Sequence, residues 1–371
     1  MDVYIERDAL SRSLARVQGV IERRNTQPML SHVLLRAHDG QLRLTATDTE
    51  VAYRGALEAN VTTAGEVAVD GAALFQVVRS LPDSVVHLKV GANHRLELSS
   101  GRASFKLLGA PAQEYIPLPP FEATGKAVVR GEALARVVEQ VSFAVAGEDV
   151  RWGLNGAHVE ERVIGDERRL RFVATDGHRL ALAELTFEGD FAFSSRMLVP
   201  RKALSVMRKL LDGVDAEIEL HFGEGALQII HGGQELWFRL LEGEFPDYNA
   251  VIPTDHKHLA VVRRVDLAET LRRVSILVAE RARAVRFAFD DGELEVDVHN
   301  VDRGEHHEAV PIELEGAPIT VGFNARYLSD VLGVIGGERI QLEMAHPLAP
   351  CLIRDPDRDD ALFVVMPMRL E

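Results

Sequence analysis

The chain holds a single cysteine, Cys351, so no intrachain disulfide framework exists and a reducing cytoplasm is the expected compartment. No apolar run approaches the length of a membrane span. The start, Met1-Asp2-Val3-Tyr4-Ile5-Glu6, lacks the basic flank and apolar centre of a signal peptide. Acidic residues outnumber basic ones, 57 to 42. The formal net charge of -15 argues against a simple basic nucleic-acid binder. It leaves room for a protein whose basic residues gather on one surface, because a field follows distribution as well as sum. The phosphate-loop pattern G-x-x-x-x-G-K-[ST] is missing, as are G-x-G-x-x-G, G-x-S-x-G and H-E-x-x-H. His256 and His258 lie in a turn-like stretch, and His299, His306 and His307 lie among Asp302, Glu305 and Glu308. Solvated polar loops account for both groups, so neither a metal nor a cofactor is expected. Cys351, without a partner cysteine, reads as a small buried apolar side chain.

What the sequence does contain is one pattern written three times. Its 371 residues, 46% apolar and 27% charged, suit a globular chain of two or three domains. The pattern recurs at about 120–130 residues, the scale of a domain. Each copy reads strand, helix, strands, helix, strands. The first helix of each copy carries apolar residues at i, i+4, i+7: Leu10, Leu14 and Val17; Leu134, Val138 and Val141; Leu267, Leu271 and Val274. The second carries Leu74, Val77, Val78 and Leu81, then Leu204, Met207 and Leu211, then Leu328, Val331, Leu332 and Ile335. A Pro-rich stretch at 115–120 closes the first copy and Phe245-Pro246-Asp247-Tyr248 closes the second. The expected chain is α+β, with domains at 1–122, 123–253 and 254–371, each packing two helices on antiparallel sheet.

A polar corner recurs within the pattern: Ala46-Thr47-Asp48, then Ala174-Thr175-Asp176, then the degenerate His299-Asn300. Catalytic sites are usually single, so a recurring corner reads first as a turn whose Asp bonds nearby backbone. Only the second copy continues as Gly177-His178-Arg179-Leu180, which leaves a docking or acid-base role open there. Basic residues attend the six expected helices: Arg12, Arg16, Arg23 and Arg24; Arg79; Arg136; Arg201, Lys202, Arg208 and Lys209; Arg263, Arg264, Arg272 and Arg273; Arg326. A charged helix side is usually a solvated face. Six helices basic on the same side would instead make a phosphate-facing surface on an acidic body.

Three stretches together, Ala174-Thr175-Asp176-Gly177-His178-Arg179-Leu180, Phe245-Pro246-Asp247-Tyr248 and Val364-Val365-Met366-Pro367-Met368-Arg369-Leu370, closely resemble the bacterial DNA polymerase III beta subunit, the sliding clamp. The resemblance runs over essentially the whole chain. It implies three similar clamp domains per chain and a homodimer closed head to tail as a ring around double-stranded DNA. It implies a non-enzymatic processivity factor that tethers the replicative polymerase, the clamp loader, other polymerases and repair proteins through short linear motifs. Positions matching the family's peptide pocket, between the second and third domains, are Leu154, Thr175, Gly177, His178, Arg179, Leu180, Pro246, Val251, Asn324, Tyr327, Val364, Val365, Met366, Pro367, Met368, Arg369 and Leu370. Arg24 and the segment 148–153, with Trp152, match DNA-contact positions. In that segment Glu148 and Gly153 stand where Gln-like and Tyr-like residues belong. Arg12, Arg23, Arg79, Arg201, Lys202 and Lys209 complete the candidate DNA surface. Matching dimer contacts are Phe105 and Leu107 in the first domain and Ile276 and Leu277 in the third. Two other readings stand beside this one. An enzyme using Asp176, His178 and Arg179 would need a matched substrate pocket. A protein-only scaffold would scatter its basic residues over the surface.

Overall fold

The computed structural model describes residues 1–22, 27–82, 84–147, 152–189, 197–278, 284–301 and 303–370. Among them are six α-helices: α1 (Arg7–Val20), α2 (Gly71–Ser80), α3 (Gly131–Ser142), α4 (Arg201–Leu210), α5 (Arg264–Val274) and α6 (Ala325–Leu332). The apolar stripes read from the sequence are their buried faces. Leu10, Leu14 and Val17 on α1, Leu134, Val138 and Val141 on α3, and Leu267, Leu271 and Val274 on α5 are all buried. Each such side chain contributes about 1.5–3 kcal/mol by leaving water. Two helices begin on side-chain caps: Asp70 accepts from the Ala73 amide at α2, and Asn324 accepts from the Arg326 amide at α6.

The chain divides into two compact units. One comprises Met1–Ala135, Phe187–Ala192 and Lys202–Leu240; the other comprises Arg136–Thr186, Phe193–Arg201 and Leu241–Glu371. The first unit holds a five-stranded and a nine-stranded sheet. In the larger sheet Val51–Glu58, from the first repeat, pairs antiparallel with Gln234–Arg239, from the second. The second unit holds a twelve-stranded sheet, in which Arg179–Thr186 of the second repeat pairs with Ala361–Val365 of the third. Strand pairing therefore continues past the sequence-drawn boundaries near 122 and 253, and the middle repeat contributes to both units.

Of the strands that escape the sequence pattern, two are long. Val51–Glu58 carries Arg54 and Gly55, which interrupt its apolar run, yet it is a seam strand. Gly55 has a steric reason: a Cβ there would stand 2.5 Å from the Tyr53 hydroxyl. That hydroxyl lies 3.1 Å from Ser13 Oγ and donates to Gln234 Oε1 at 3.1 Å. The second strand corrects the expected polar loop around His299, His306 and His307. Glu293–Asn300 and Gly304–Glu315 form a ladder there, with Val298 opposite His306. Its exposed face is charged because it is solvated, and cross-strand partners pair on it, His307 with Asp297 at 2.6 Å.

The recurring corner is built the same way in the first two copies. Thr47 Oγ1 donates to Val51 O and accepts from the Thr49 amide, while Asp48 Oδ1 accepts from the Glu50 and Val51 amides. Thr175 Oγ1 donates to Arg179 O and accepts from the Gly177 amide, while Asp176 Oδ1 accepts from the His178 and Arg179 amides. The structural role expected of the Asp is thus present. In the third copy Asn300 Oδ1 accepts from the Arg303 amide, and its Nδ2 donates to Leu277 O at 2.8 Å. The residue after the Asp is left-handed in both full copies, Thr49 at φ 82° and Gly177 at φ 86°. Glycine adopts this conformation freely, whereas a β-branched residue is strained by roughly 1–2 kcal/mol. Thr49→Gly should therefore stabilise the protein by about 1 kcal/mol, read as a higher denaturant midpoint. A midpoint at or below the parent's contradicts the strain.

Candidate functional site

Strand Arg179–Thr186 leaves the corner with Leu180 and Leu182 on one face, and strand Ala361–Val365 brings Val364 opposite Leu180. A cavity of about 190 Å³ opens on that face. Leu154, Thr175, Gly177, Arg179, Leu180, Pro246, Val251, Val364 and Met366 line it, as the sequence reading grouped them. Asp247 and Tyr248, from the Phe245-Pro246-Asp247-Tyr248 motif, also line it and lie beyond the positions that the resemblance implies. Beneath lies a core cluster that includes Leu154, Val173, Leu180, Leu182, Leu198, Phe245, Leu352 and Val364. An apolar hollow this small takes a few side-chain groups rather than a whole drug-sized molecule.

Arg179 is the most constrained wall. Its side chain is 10% exposed. Nε donates to Asp176 Oδ2 at 3.1 Å, one terminal nitrogen donates to Asp330 of α6, and the other donates to Phe143 O at 2.7 Å, just past α3. The guanidinium also lies 4.6 Å from the Tyr327 ring centroid and 5.0 Å from that of Phe143. One planar fork thus ties the corner, the end of α3 and α6 together. The same contacts occupy the Asp176 carboxylate, with two backbone amides on one oxygen and Arg179 on the other, so Asp176 has no lone role as a base. His178 is exposed, its ring 6.1 Å from that of Tyr327. Cys351 is fully buried, and burial first and the Glu343 charge second push its thiol far above the ordinary range, so it offers no nucleophile.

The tail continues the pairing. The Met366 amide donates to His178 O at 2.9 Å and the Met368 amide to Gly322 O at 2.8 Å. A Cβ at Gly322 would meet Met368 O at 2.5 Å, so glycine permits this approach. Met366 reaches the cavity, whereas Val365, one residue earlier on the strand, is fully buried and absent from its lining. Pro367, Met368, Arg369 and Leu370 lie past the cavity, with Leu370 beside Gly322. Asn324 and Tyr327 line a second, wider groove of about 910 Å³ between α5 and α6, with Arg264, Arg272 and Arg326.

Arg12, Arg79, Arg201 and Lys209 are exposed and make no ion pair among the described residues. Lys202 differs: its ammonium pairs with Asp48 and lies 3.6 Å from Glu22. Arg23, Arg24 and residues 148–151 lie outside the described residues, and Trp152 opens the short helix Trp152–Leu154. The next residue, Gly153, sits where a Cβ would stand 2.4 Å from Glu244 O, which accounts for glycine in place of a larger residue. Phe105, 36% exposed, and half-buried Leu107 lie on Ala103–Leu107, the edge strand of the five-stranded sheet. Ile276, 70% exposed, and half-buried Leu277 follow α5. At Arg179, an ammonium reaches fewer of the three acceptors than the fork does. Arg179→Lys should therefore cost about 1–3 kcal/mol and lower the thermal midpoint; a parental midpoint contradicts the clamp.

Three family models span the chain. Those for the N-terminal, central and C-terminal domains of the DNA polymerase III beta subunit match residues 1–119, 128–247 and 249–369. The beta sliding clamp of Pseudomonas aeruginosa is 36% identical over 373 residues and that of Caulobacter vibrioides 34% over 372, with both chains covered in full each time. Among solved structures, the sliding clamp of Bartonella birtlesii bound to griselimycin aligns over the whole of both chains with a TM-score of 0.91 at 31% identity. The Pseudomonas aeruginosa clamp bound to griselimycin does so with a TM-score of 0.90 at 35% identity. Full-length identity, matching folds and all three domain models agree that this chain belongs to the DNA polymerase III beta subunit family, the beta sliding clamps, which are processivity factors and not enzymes.

Proposed function

We propose that the cavity beside Thr175 and Arg179 is the peptide-binding pocket of this sliding clamp. The chain is a processivity factor, acting as a homodimeric ring on double-stranded DNA and tethering polymerases to it. Tethering works by raising the local concentration of polymerase at its template, with no bond made or broken by the clamp. The observation that carries the pocket assignment is convergence. Residues from the corner, from the Pro246–Val251 turn and from the C-terminal strand build one apolar hollow in a single compact unit. Leu154, Leu180, Val251, Val364 and Met366 supply the apolar wall, and Pro246, Thr175, Gly177 and Arg179 complete the lining. His178, Asn324, Tyr327, Pro367, Met368, Arg369 and Leu370 flank the hollow as a rim along which a linear motif runs, with Val365 supporting it from the core. Polymerases, the clamp loader and repair proteins would share this site.

In the same reading the domains run 1–122, 123–253 and 254–371, and the protein works in the cytoplasm. Arg12, Arg79, Arg201 and Lys209 face phosphate, joined by Arg23, Arg24 and Trp152, while Lys202 instead braces the first corner through Asp48. Arg272 and Arg326, exposed and without ion pairs among the described residues, are further candidates for phosphate contact. A ring held by topology needs only weak, salt-sensitive contacts, which reconciles basic helices with a net charge of -15. Phe105 and Leu107 on one chain would meet Ile276 and Leu277 on the other. Griselimycin is a ready probe, since clamps of two other bacteria are bound to it. Deleting residues 366–371 should abolish griselimycin binding in calorimetry while sedimentation still gives a dimer. Undiminished affinity in the deletion variant contradicts the pocket assignment.

A further inference from the structure

Tyr248 belongs to the cavity by its ring and to a charged ladder by its hydroxyl. The ring is buried and lines the cavity. It also packs against Phe245, centroids 6.5 Å apart, and against His158, 6.2 Å apart. Its hydroxyl donates to Glu160 Oε1 and accepts from a terminal nitrogen of Arg171 at 3.2 Å. Arg171 in turn donates through Nε to Glu184, and Arg169 lies 3.4 Å from the second Glu184 oxygen. These charges sit in register. Glu160 on Gly156–Ile164 is directly opposite Arg171 on Glu167–Thr175, and Arg171 is directly opposite Glu184 on Arg179–Thr186.

Strand alternation links the ladder to the cavity. Residues two apart share a face, so Arg171, Val173 and Thr175 follow one another on one strand, as do Glu184, Leu182 and Leu180 on the next. The far end of this face is apolar and open, and the near end is a row of paired charges. The Glu184 side chain is 5% exposed and that of Arg171 15%, so these groups depend on one another. Burial draws the Glu160 carboxyl upward, but hydrogen bonds from Tyr248 and His158 and the Arg171 charge outweigh it and hold the group below its ordinary range. Burial, reinforced by Glu160, raises the Tyr248 hydroxyl, which stays a donor.

We infer that Tyr248, anchored by Glu160 and Arg171, is a positioning residue of the peptide pocket: the ladder withdraws its hydroxyl and fixes its ring as an apolar wall for the incoming side chain. The inference rests on the pocket assignment above. A fixed ring holds the cavity open before a ligand arrives, and preorganisation of this kind acts chiefly on the dissociation rate. Neither Glu160 nor Arg171 lines the cavity, so their effect on a ligand passes through Tyr248.

The test is a double-mutant cycle on the full chain, with griselimycin binding followed by calorimetry and surface kinetics. Tyr248→Phe keeps the ring and removes the anchor; it should weaken binding about five- to tenfold, mainly through faster dissociation. Arg171→Met should do the same, and the double variant should bind no worse than the weaker single variant, because both break one linkage. Glu160→Gln replaces Arg171→Met in the cycle if the latter does not fold. Met366→Ala serves as the pocket control. If the parent does not bind griselimycin, or Met366→Ala binds as the parent does, the pocket assignment and this inference both fall. If Met366→Ala weakens binding while Tyr248→Phe binds as the parent does, or lowers only the thermal midpoint, the inference alone falls. Simple additivity in the cycle also overturns it.

Discussion

The antiparallel seam between Arg179–Thr186 and Ala361–Val365 is the constraint on which the site depends. It joins residues of the second repeat to residues of the third, and the corner, Leu180 and the C-terminal strand of the cavity are all placed by it. Leu180 lies opposite Val364, so the cavity floor is the seam itself. Arg179 heads the same strand, so its guanidinium is set where Asp176, Phe143 O and Asp330 are all in reach. The tail beyond Val365 is carried on by backbone bonds to His178 and Gly322, so its last residues emerge beside α6. In the proposed reading the task of this site is to present a preformed apolar slot to a linear segment.

The corner shows how a fold feature is turned to use. In the first copy the Thr-Asp turn ends at Val51, an apolar residue, and the Asp48 carboxylate is taken up by Lys202. In the second copy the equivalent position is Arg179, and the turn becomes a clamp. In the third the Asn300 amide is drawn to Leu277 O, beside the exposed Ile276. The same backbone frame thus supports an internal ion pair, a pocket wall and the end of an edge segment. Thr49 retains a strained backbone that Gly177 accommodates without cost, consistent with a frame shared by copies rather than optimised in each.

Much of this was legible because it is periodic. The helix stripes appear as i, i+4, i+7 spacings, and Leu10, Leu134 and Leu267 are buried as that spacing demands. The seams were not legible, since a strand's partner a hundred or more residues away leaves no local pattern. Val51–Glu58 hid behind Arg54 and Gly55, and Gly304–Glu315 behind alternating charge. Lys202 reads as a free helix cation until the fold places Asp48 against it. Tyr248 was visible in its motif, but its ladder partners sit on three different strands. The resemblance places Val365 in the pocket with Val364, and strand alternation separates them.

The charge balance follows from the same logic. An acidic chain that held DNA by affinity would be a contradiction, whereas an acidic ring held by closure is not. The most direct test is retention on circular against linearised DNA after loading by a clamp loader. The protein should stay on circles, survive salt that removes phosphate contacts, and slide off linear ends. Equal loss from both forms would contradict a topological tether.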